Sequence, residues 1–281
     1  MIKRSMGYLK VRTGPAPAAA EELEAQGFTV QRGVFSPDEV AALHSEISAV
    51  YEASEPDKRA PRHDAGMHMF RYGMLNRSAA CQQAVAHRGI LDVIEPLLGE
   101  DCHVIANTAW RNPPSSEGLH GGENWHIDAG PHVPLPEGVT WPADIPHPVF
   151  AVGVHIYLQE CRLEDGPTGV IPGSHLSGRF PPREQALDDE LEYNGQGVIP
   201  LLTQPGDVGF FVSDVWHRRM PTQPGDQGRF FLQVHYGRRD IAQRIFTTEQ
   251  VNHLSPQAIE RADSERDRTV IGLHAPFFYD G

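Results

Sequence analysis

Gly206-Asp207-Val208-Gly209-Phe210-Phe211-Val212-Ser213-Asp214-Val215-Trp216-His217 is the stretch that decides the fold. Val208 to Val212 is a short run of β-formers, opened by Gly-Asp and closed by Ser-Asp, and so reads as a buried strand rather than a helix. The same texture recurs on both sides. His103 to Trp110, Asn124 to Ala129, Val149 to Gln159, Thr168 to Ile171, Val198 to Leu202 and Arg229 to Tyr236 are short, rich in β-formers, and separated by Pro, Gly and Asp. Such a series behind a helical region predicts a mainly β chain with flanking helices and a sandwich or barrel core.

The region before Gly99 is different. Residues 1–25 read as a flexible N-terminal arm ending in the Ala-rich patch Ala16 to Ala20. Gly27 to Val30 reads as a strand. Ser36-Pro37-Asp38-Glu39 is a capping box with Pro at the first helical position. Val40, Leu43, Ile47 and Val50 then continue at helical spacing. A second helix is expected over Ser78 to Leu98, closed by Gly99. The loop Pro131 to Pro148 holds six prolines, and a connection of that length is commonly functional. Thr248 to Asp267 reads as a C-terminal helix, followed by the aromatic tail His274 to Gly281. The expected organisation is a single domain over 26–281: a helical part at 36–98, a β core at about 103–239, and a C-terminal helix and tail at 248–281.

Composition removes several functions. The chain of 281 residues carries 24 Lys plus Arg against 37 Asp plus Glu, a net charge of −13. A surface so acidic repels phosphate backbones, so no nucleic-acid partner is expected. No apolar run is long enough to span a membrane. The three cysteines, Cys81, Cys102 and Cys161, form no C-x-x-C and no disulfide framework, which fits a reducing cytoplasm. The N-terminus lacks the apolar core of a signal peptide.

The chain contains one H-x-D, in Trp125-His126-Ile127-Asp128. On a strand, residues i and i+2 share a face, so His126 and Asp128 can address one point. An isolated H-x-D also suits a surface strand. The best third ligand is His217, and two His with one carboxylate form the facial triad of non-haem Fe(II) oxygenases. His44-Ser45-Glu46, the one H-x-E, sits in the capped helix, where i and i+2 diverge. Arg229 follows His217 across the turn Pro224-Gly225-Asp226. Antiparallel pairing is expected to return it beside His217, as a fork for a carboxylate.

With these motifs in order, the chain resembles the phytanoyl-CoA dioxygenase family of Fe(II)- and 2-oxoglutarate-dependent oxygenases. The resemblance covers about Gln26 to Arg239. It rests on Gly27 to Val30 before the capped helix, on Trp125 to Asp128, on Val170-Ile171-Pro172-Gly173-Ser174-His175, and on Gly206-Asp207 leading to Trp216-His217 with Arg229 beyond. It implies a double-stranded β-helix, the jelly-roll or cupin-like core. It implies iron held by His126, Asp128 and His217, and Arg229 paired with the C5 carboxylate of 2-oxoglutarate. Asn124 and Thr168 match positions where the family touches the cosubstrate, and His175 matches a structural turn. The implied activity is hydroxylation of an unactivated C–H in a small molecule of secondary-metabolite or lipid-like kind. O2 is consumed, succinate and CO2 are released, and ascorbate serves as an accessory reductant. Asp128 favours hydroxylation over halogenation, because related halogenases replace this carboxylate. The net charge of −13 is a poor match for a coenzyme-A thioester.

The substrate pocket is expected among Arg62 to Tyr72, Trp110, Arg111 and the Pro131–Pro148 loop with Trp141 as a lid. Arg71 or Arg218 would suit an anionic substrate group. A monomer or homodimer is expected. The competing reading is a jelly-roll metal protein that does not use 2-oxoglutarate, a lyase, isomerase or metal-binding module, since His2Asp also binds zinc.

Overall fold

The computed structural model describes residues 14–53, 70–115, 119–241 and 254–273. The sequence stretches 1–13, 62–69, 248–253 and 274–281, read above as arm, pocket and tail, lie outside the described residues.

Among the described residues there are nine strands: β1 (Phe28–Gln31), β2 (Phe70–Tyr72), β3 (His103–Asn112), β4 (Ala151–Tyr157), β5 (Thr168–Val170), β6 (Ile199–Pro200), β7 (Val208–Val212), β8 (His217–Arg219) and β9 (Arg229–Gly237). The helices are α1 (Ala18–Gln26), α2 (Pro37–Ala53), α3 (Met74–Arg77), α4 (Ala79–Val85), α5 (Arg88–Leu98), α6 (Pro256–Glu260) and α7 (Glu265–Val270). A six-stranded sheet runs β1-β7-β4-β9-β3-β2, and a three-stranded sheet runs β6-β5-β8. All pairings are antiparallel. This is the expected jelly-roll architecture.

The large sheet is buried on both faces, and its residues alternate accordingly. Phe230, Leu232, Val234 and Tyr236 of β9 join Val152, Val154 and Ile156 of β4 in one core with α2, α4 and α5. The intervening Arg229, Phe231, Gln233 and His235 face a cavity between the two sheets. A strand's period of two thus sorts β9 into a helix-facing apolar row and a cavity-facing polar and aromatic row. At about 25 cal/mol per Å² of apolar surface, the helix-facing row supplies the burial that holds the sheet in place. Tyr236 also donates its hydroxyl to the Val85 carbonyl at 2.8 Å.

Several local expectations need correction. The Ala-rich patch at the end of the expected arm is the start of α1, with Ala20 and Leu23 fully buried. The single helix expected over Ser78 to Leu98 is two helices, broken at Ala86-His87. His87 caps the second by accepting from the Gly89 N–H at 3.1 Å, which breaks the i to i−4 ladder there. Asn124 to Ala129 is not a strand: a single bridge, His126 to His217, joins it to the small sheet. The capping box is as read, with Glu39 accepting from the Ser36 N–H at 2.8 Å.

Candidate active site

The H-x-D segment is pinned from two sides. His126 and His217 exchange backbone hydrogen bonds at 3.0 Å each, and the Asp128 N–H donates to the Ser213 carbonyl at 3.0 Å. These bonds put three side chains from two chain segments at one point. Ligating atoms of His126, Asp128 and His217 all lie within 4.8 Å of one another. The His217 Nε2 to Asp128 Oδ1 separation is 3.6 Å. Two atoms each about 2.1 Å from one ion stand about 3 Å apart when cis, so a small inward movement seats a metal.

The imidazoles are already aimed. His126 Nδ1 is 2.8 Å from the Asn124 carbonyl, and His217 Nδ1 is 2.9 Å from the Val215 carbonyl. A proton held at each Nδ1 leaves the Nε2 lone pair for an ion. Burial, with His217 nearby, pushes the His126 imidazole below its ordinary value. Burial would do the same to His217, but the Asp128 carboxylate outweighs it and raises the proton affinity. For Asp128 burial acts upward, yet His235, His217 and His126 hold its carboxyl far below the usual range.

The cavity has a volume of about 280 Å³. The triad lines it together with Tyr72, Thr108, Trp110, Glu123, His155, Thr168, Arg219, Arg229, Phe231, Gln233 and His235, among others. Arg229 is 5% exposed, donates to Asn112 Oδ1 at 3.2 Å, and lies with its guanidinium carbon 5.4 Å from the Phe231 ring centre. Gly228 makes the turn before it possible. Its φ is +80°, and a Cβ there would stand 2.2 Å from the Asn112 carbonyl oxygen. Arg229 does not pair with the strand of His217, as the turn suggested. It sits in register with Asn112 on the large sheet, while β8 pairs with β5. The two residues share the cavity by facing each other across the barrel.

The other expected residues divide. Thr168 is buried in the cavity wall. Asn124 is exposed and does not line the cavity; its contribution is the carbonyl that holds His126. Arg71 is on the opposite face of β2 from Tyr72, stacked 4.5 Å over Tyr51 in the helical layer, so it does not reach the cavity. Trp141 is tied to its own loop, donating to the Ile145 carbonyl at 2.6 Å, with its ring against His147. Arg218 borders the cavity, but its guanidinium packs 4.9 Å over Trp125 and is ion-paired to Asp189. His175 is structural: its Nε2 meets the Glu24 carbonyl at 3.0 Å. Next to it Ser174 Oγ accepts from the Trp216 N–H at 2.8 Å, which braces the entry to β8.

The residues that sequence reasoning missed are Arg219, His155 and His235. His235 Nδ1 is 3.7 Å from Asp128 Oδ2. His155 is fully enclosed, and burial followed by the charges of Arg229 and His235 pushes its imidazole far below the ordinary value. Burial and then the nearby Arg229 charge bring the Arg219 guanidinium down to about 9, against the pull of Glu123 and Asp226. The signal for His235 was present in the alternation of Arg229-Phe230-Phe231-Leu232-Gln233-Val234-His235.

A jelly roll with a His-Asp-His cluster between its sheets, and a buried arginine in the same cavity, defines the class of non-haem metal oxygenases. The phytanoyl-CoA dioxygenase (PhyH) family model matches residues 23–221, and the chain belongs to that family. It is a non-haem iron, 2-oxoglutarate-dependent oxygenase. It is 23% identical to the multifunctional dioxygenase prhA of Penicillium brasilianum, over 93% of this chain and 85% of that protein. It is 29% identical to the dioxygenase andF of Emericella variicolor, over 35% of this chain and 34% of that protein. The fold is similar to the epimerase SnoN, solved with Fe3+, alpha ketoglutarate and nogalamycin RO, with a TM-score of 0.61. That match has 16% identity and covers 79% of this chain and 83% of the other. Among the described residues no helix is long and apolar enough to cross a membrane.

Proposed function

We propose that His126, Asp128 and His217 hold Fe(II), that Arg229 and Thr168 receive the distal carboxylate of 2-oxoglutarate, and that the enzyme oxidises an unactivated C–H of a small molecule. The observation that carries this reading is the convergence of the three ligating groups in the cavity that also buries Arg229. The donor set fits iron: two imidazoles whose Nδ1 atoms are held by backbone carbonyls and one carboxylate leave room for a bidentate cosubstrate and O2. When bound, the metal would activate O2, the oxidant, which takes two electrons from 2-oxoglutarate, giving succinate and CO2, and two from the substrate C–H.

The chain's own residues orient and enclose. Arg229 fixes the far end of the cosubstrate before chemistry, which removes orientational freedom from the reacting complex. Burial of the lining keeps water from the reacting atoms. Trp110, Tyr72 and Phe231 offer an apolar wall for the substrate, and the SnoN ligand supports a secondary-metabolite substrate. The three cysteines are free and buried, which supports work in a reducing compartment. The test is an oxygen-free mixture of protein, Fe(II) and 2-oxoglutarate, inspected for the visible charge-transfer band of the chelate. A folded protein that shows no band, and releases no succinate in air, refutes the reading.

A further inference from the structure

Of the three arginines that line the cavity, Arg218 is ion-paired to Asp189 and Arg229 has a hydrogen-bond partner, whereas Arg219 has neither among the described residues. Arg229 from β9 donates to Asn112. Arg219 from β8 is 6% exposed, its Nε is buried without a partner, and among the described residues no carboxylate lies within 4.0 Å of either guanidinium. Glu123 and Asp226 attract Arg219 only from farther away, while Arg229 repels it. Two buried like charges in one cavity are costly unless an anion joins them. Arg218 and Arg238, also buried, differ: Arg218 is ion-paired to Asp189, and Arg238 to Asp240.

The strand geometry says which anion belongs there. His217 and Arg219 are i and i+2 on β8, so both face inward, about 6.6 Å apart along the strand. A ligand that chelates a metal at His217 with one end therefore presents its other end to Arg219. A five-carbon dicarboxylate has a comparable reach. The opposite sheet brings Arg229 to the same cavity, and Thr168 lies beside Arg219 in register on β5.

We propose that Arg219 is a second anchor for the distal carboxylate of 2-oxoglutarate, so that this group is held by a pair of guanidiniums; the proposal rests on the reading of the cavity given above. The pair makes the enzyme selective for a dicarboxylate. Among the described residues it also leaves no arginine of the lining uncommitted, since Arg218 is bound to Asp189 and Arg71 faces the helical layer.

The test is a binding titration of Fe(II)-loaded protein without oxygen, following the chelate's visible band. Two ligands are compared: 2-oxoglutarate, and 2-oxopentanoate, which keeps the chelating end and lacks the distal carboxylate. Arg219→Met is expected to weaken 2-oxoglutarate by about tenfold or more, as for loss of a charged hydrogen bond. It is expected to leave 2-oxopentanoate within about twofold, the ordinary scatter of single-site effects. Arg219→Lys is expected to recover part of the loss. Thermal melts of metal-free, anion-free protein give a readout independent of the metal. Arg219→Met should melt no lower than wild type, because removing one of two repelling charges relieves the fold. A lower melt with both ligands weakened alike would make Arg219 a structural residue and overturn the proposal. Unchanged 2-oxoglutarate affinity in Arg219→Met would also overturn it, while leaving the cosubstrate reading intact. Absence of the band in wild type would sink that underlying reading itself.

Discussion

Arg218 and Arg219 are neighbours on one strand, both almost fully buried, and the protein treats them in opposite ways. Arg218 lies over Trp125 and is ion-paired to Asp189. Arg219 lines the cavity, where the charge that acts on it most is that of Arg229. The histidines show the same division. His175 meets a backbone carbonyl beneath the Pro172-Gly173-Ser174-His175 turn, whereas His126 and His217 keep one nitrogen for the cavity. Burial of a polar group therefore says little about its role. Where its remaining valence points decides whether it serves the fold or a ligand.

The comparison breaks first at the triad. His126→Ala should abolish Fe(II) retention and succinate release while leaving the circular dichroism spectrum unchanged; retained iron stoichiometry would move the centre elsewhere. Next, Arg229→Met should raise the 2-oxoglutarate requirement by about a hundredfold or more, from the 3–5 kcal/mol lost when a buried charge loses its partner. The Fe(II) requirement should move far less, and an equal loss of both would reject the anchoring role.

The fold-serving histidine makes a prediction in pH. Burial, with His147 nearby, pushes His175 from its ordinary 6.5 down to about 4. The unfolded chain then takes up the proton more readily than the folded one. The stabilisation is complete above pH 6.5 and is lost as pH falls towards 4, by up to about 3 kcal/mol. Urea midpoints at pH 7.5 and pH 5 should separate more in wild type than in His175→Gln; equal separations would remove His175 from the account. The smallest effect is expected at Arg218. Its partner Asp189 is mostly exposed, so Arg218→Met should leave 2-oxoglutarate binding within about twofold, and loss of the ion pair itself should cost about 0–1 kcal/mol. A large loss of cosubstrate affinity there would erase the distinction between the two faces of β8.

Much of this was legible in the sequence. The strands of the sheet and the capped α2 follow from local pattern, because strand period and capping chemistry act over a few residues; the jelly-roll topology and the ligand set came with the family resemblance. The strand expected around His126 was not: its backbone is held by single bonds to His217 and Ser213, partners that local sequence does not show. The route of Arg229 to the site was misread for a related reason. A turn suggests pairing with the preceding strand, but the register with Asn112 belongs to a strand far back in the chain. Arg71, Arg218 and Trp141 looked like pocket residues because their chemistry fits a pocket. Which face they occupy depends on the helix layer, on Asp189 and on the loop's own carbonyls. Arg219 escaped notice because Arg218, its neighbour, was chosen for the pocket instead, and local sequence does not show which of the two the alternation along β8 turns towards His217.

Gly153 on β4 stands directly opposite Phe211 on β7. A methyl group at residue 153 would lie 2.5 Å from the Phe211 ring, and that ring's centre is 4.8 Å from that of His217 and 5.0 Å from that of His155. The aim of the distal histidine is thus set through an aromatic plate whose seat is an absent side chain. In a saturation mutagenesis scan scored by turnover, residue 153 would rank beside the ligands although it carries no chemistry. Variation that retunes the centre can therefore arise at a residue that has no side chain of its own.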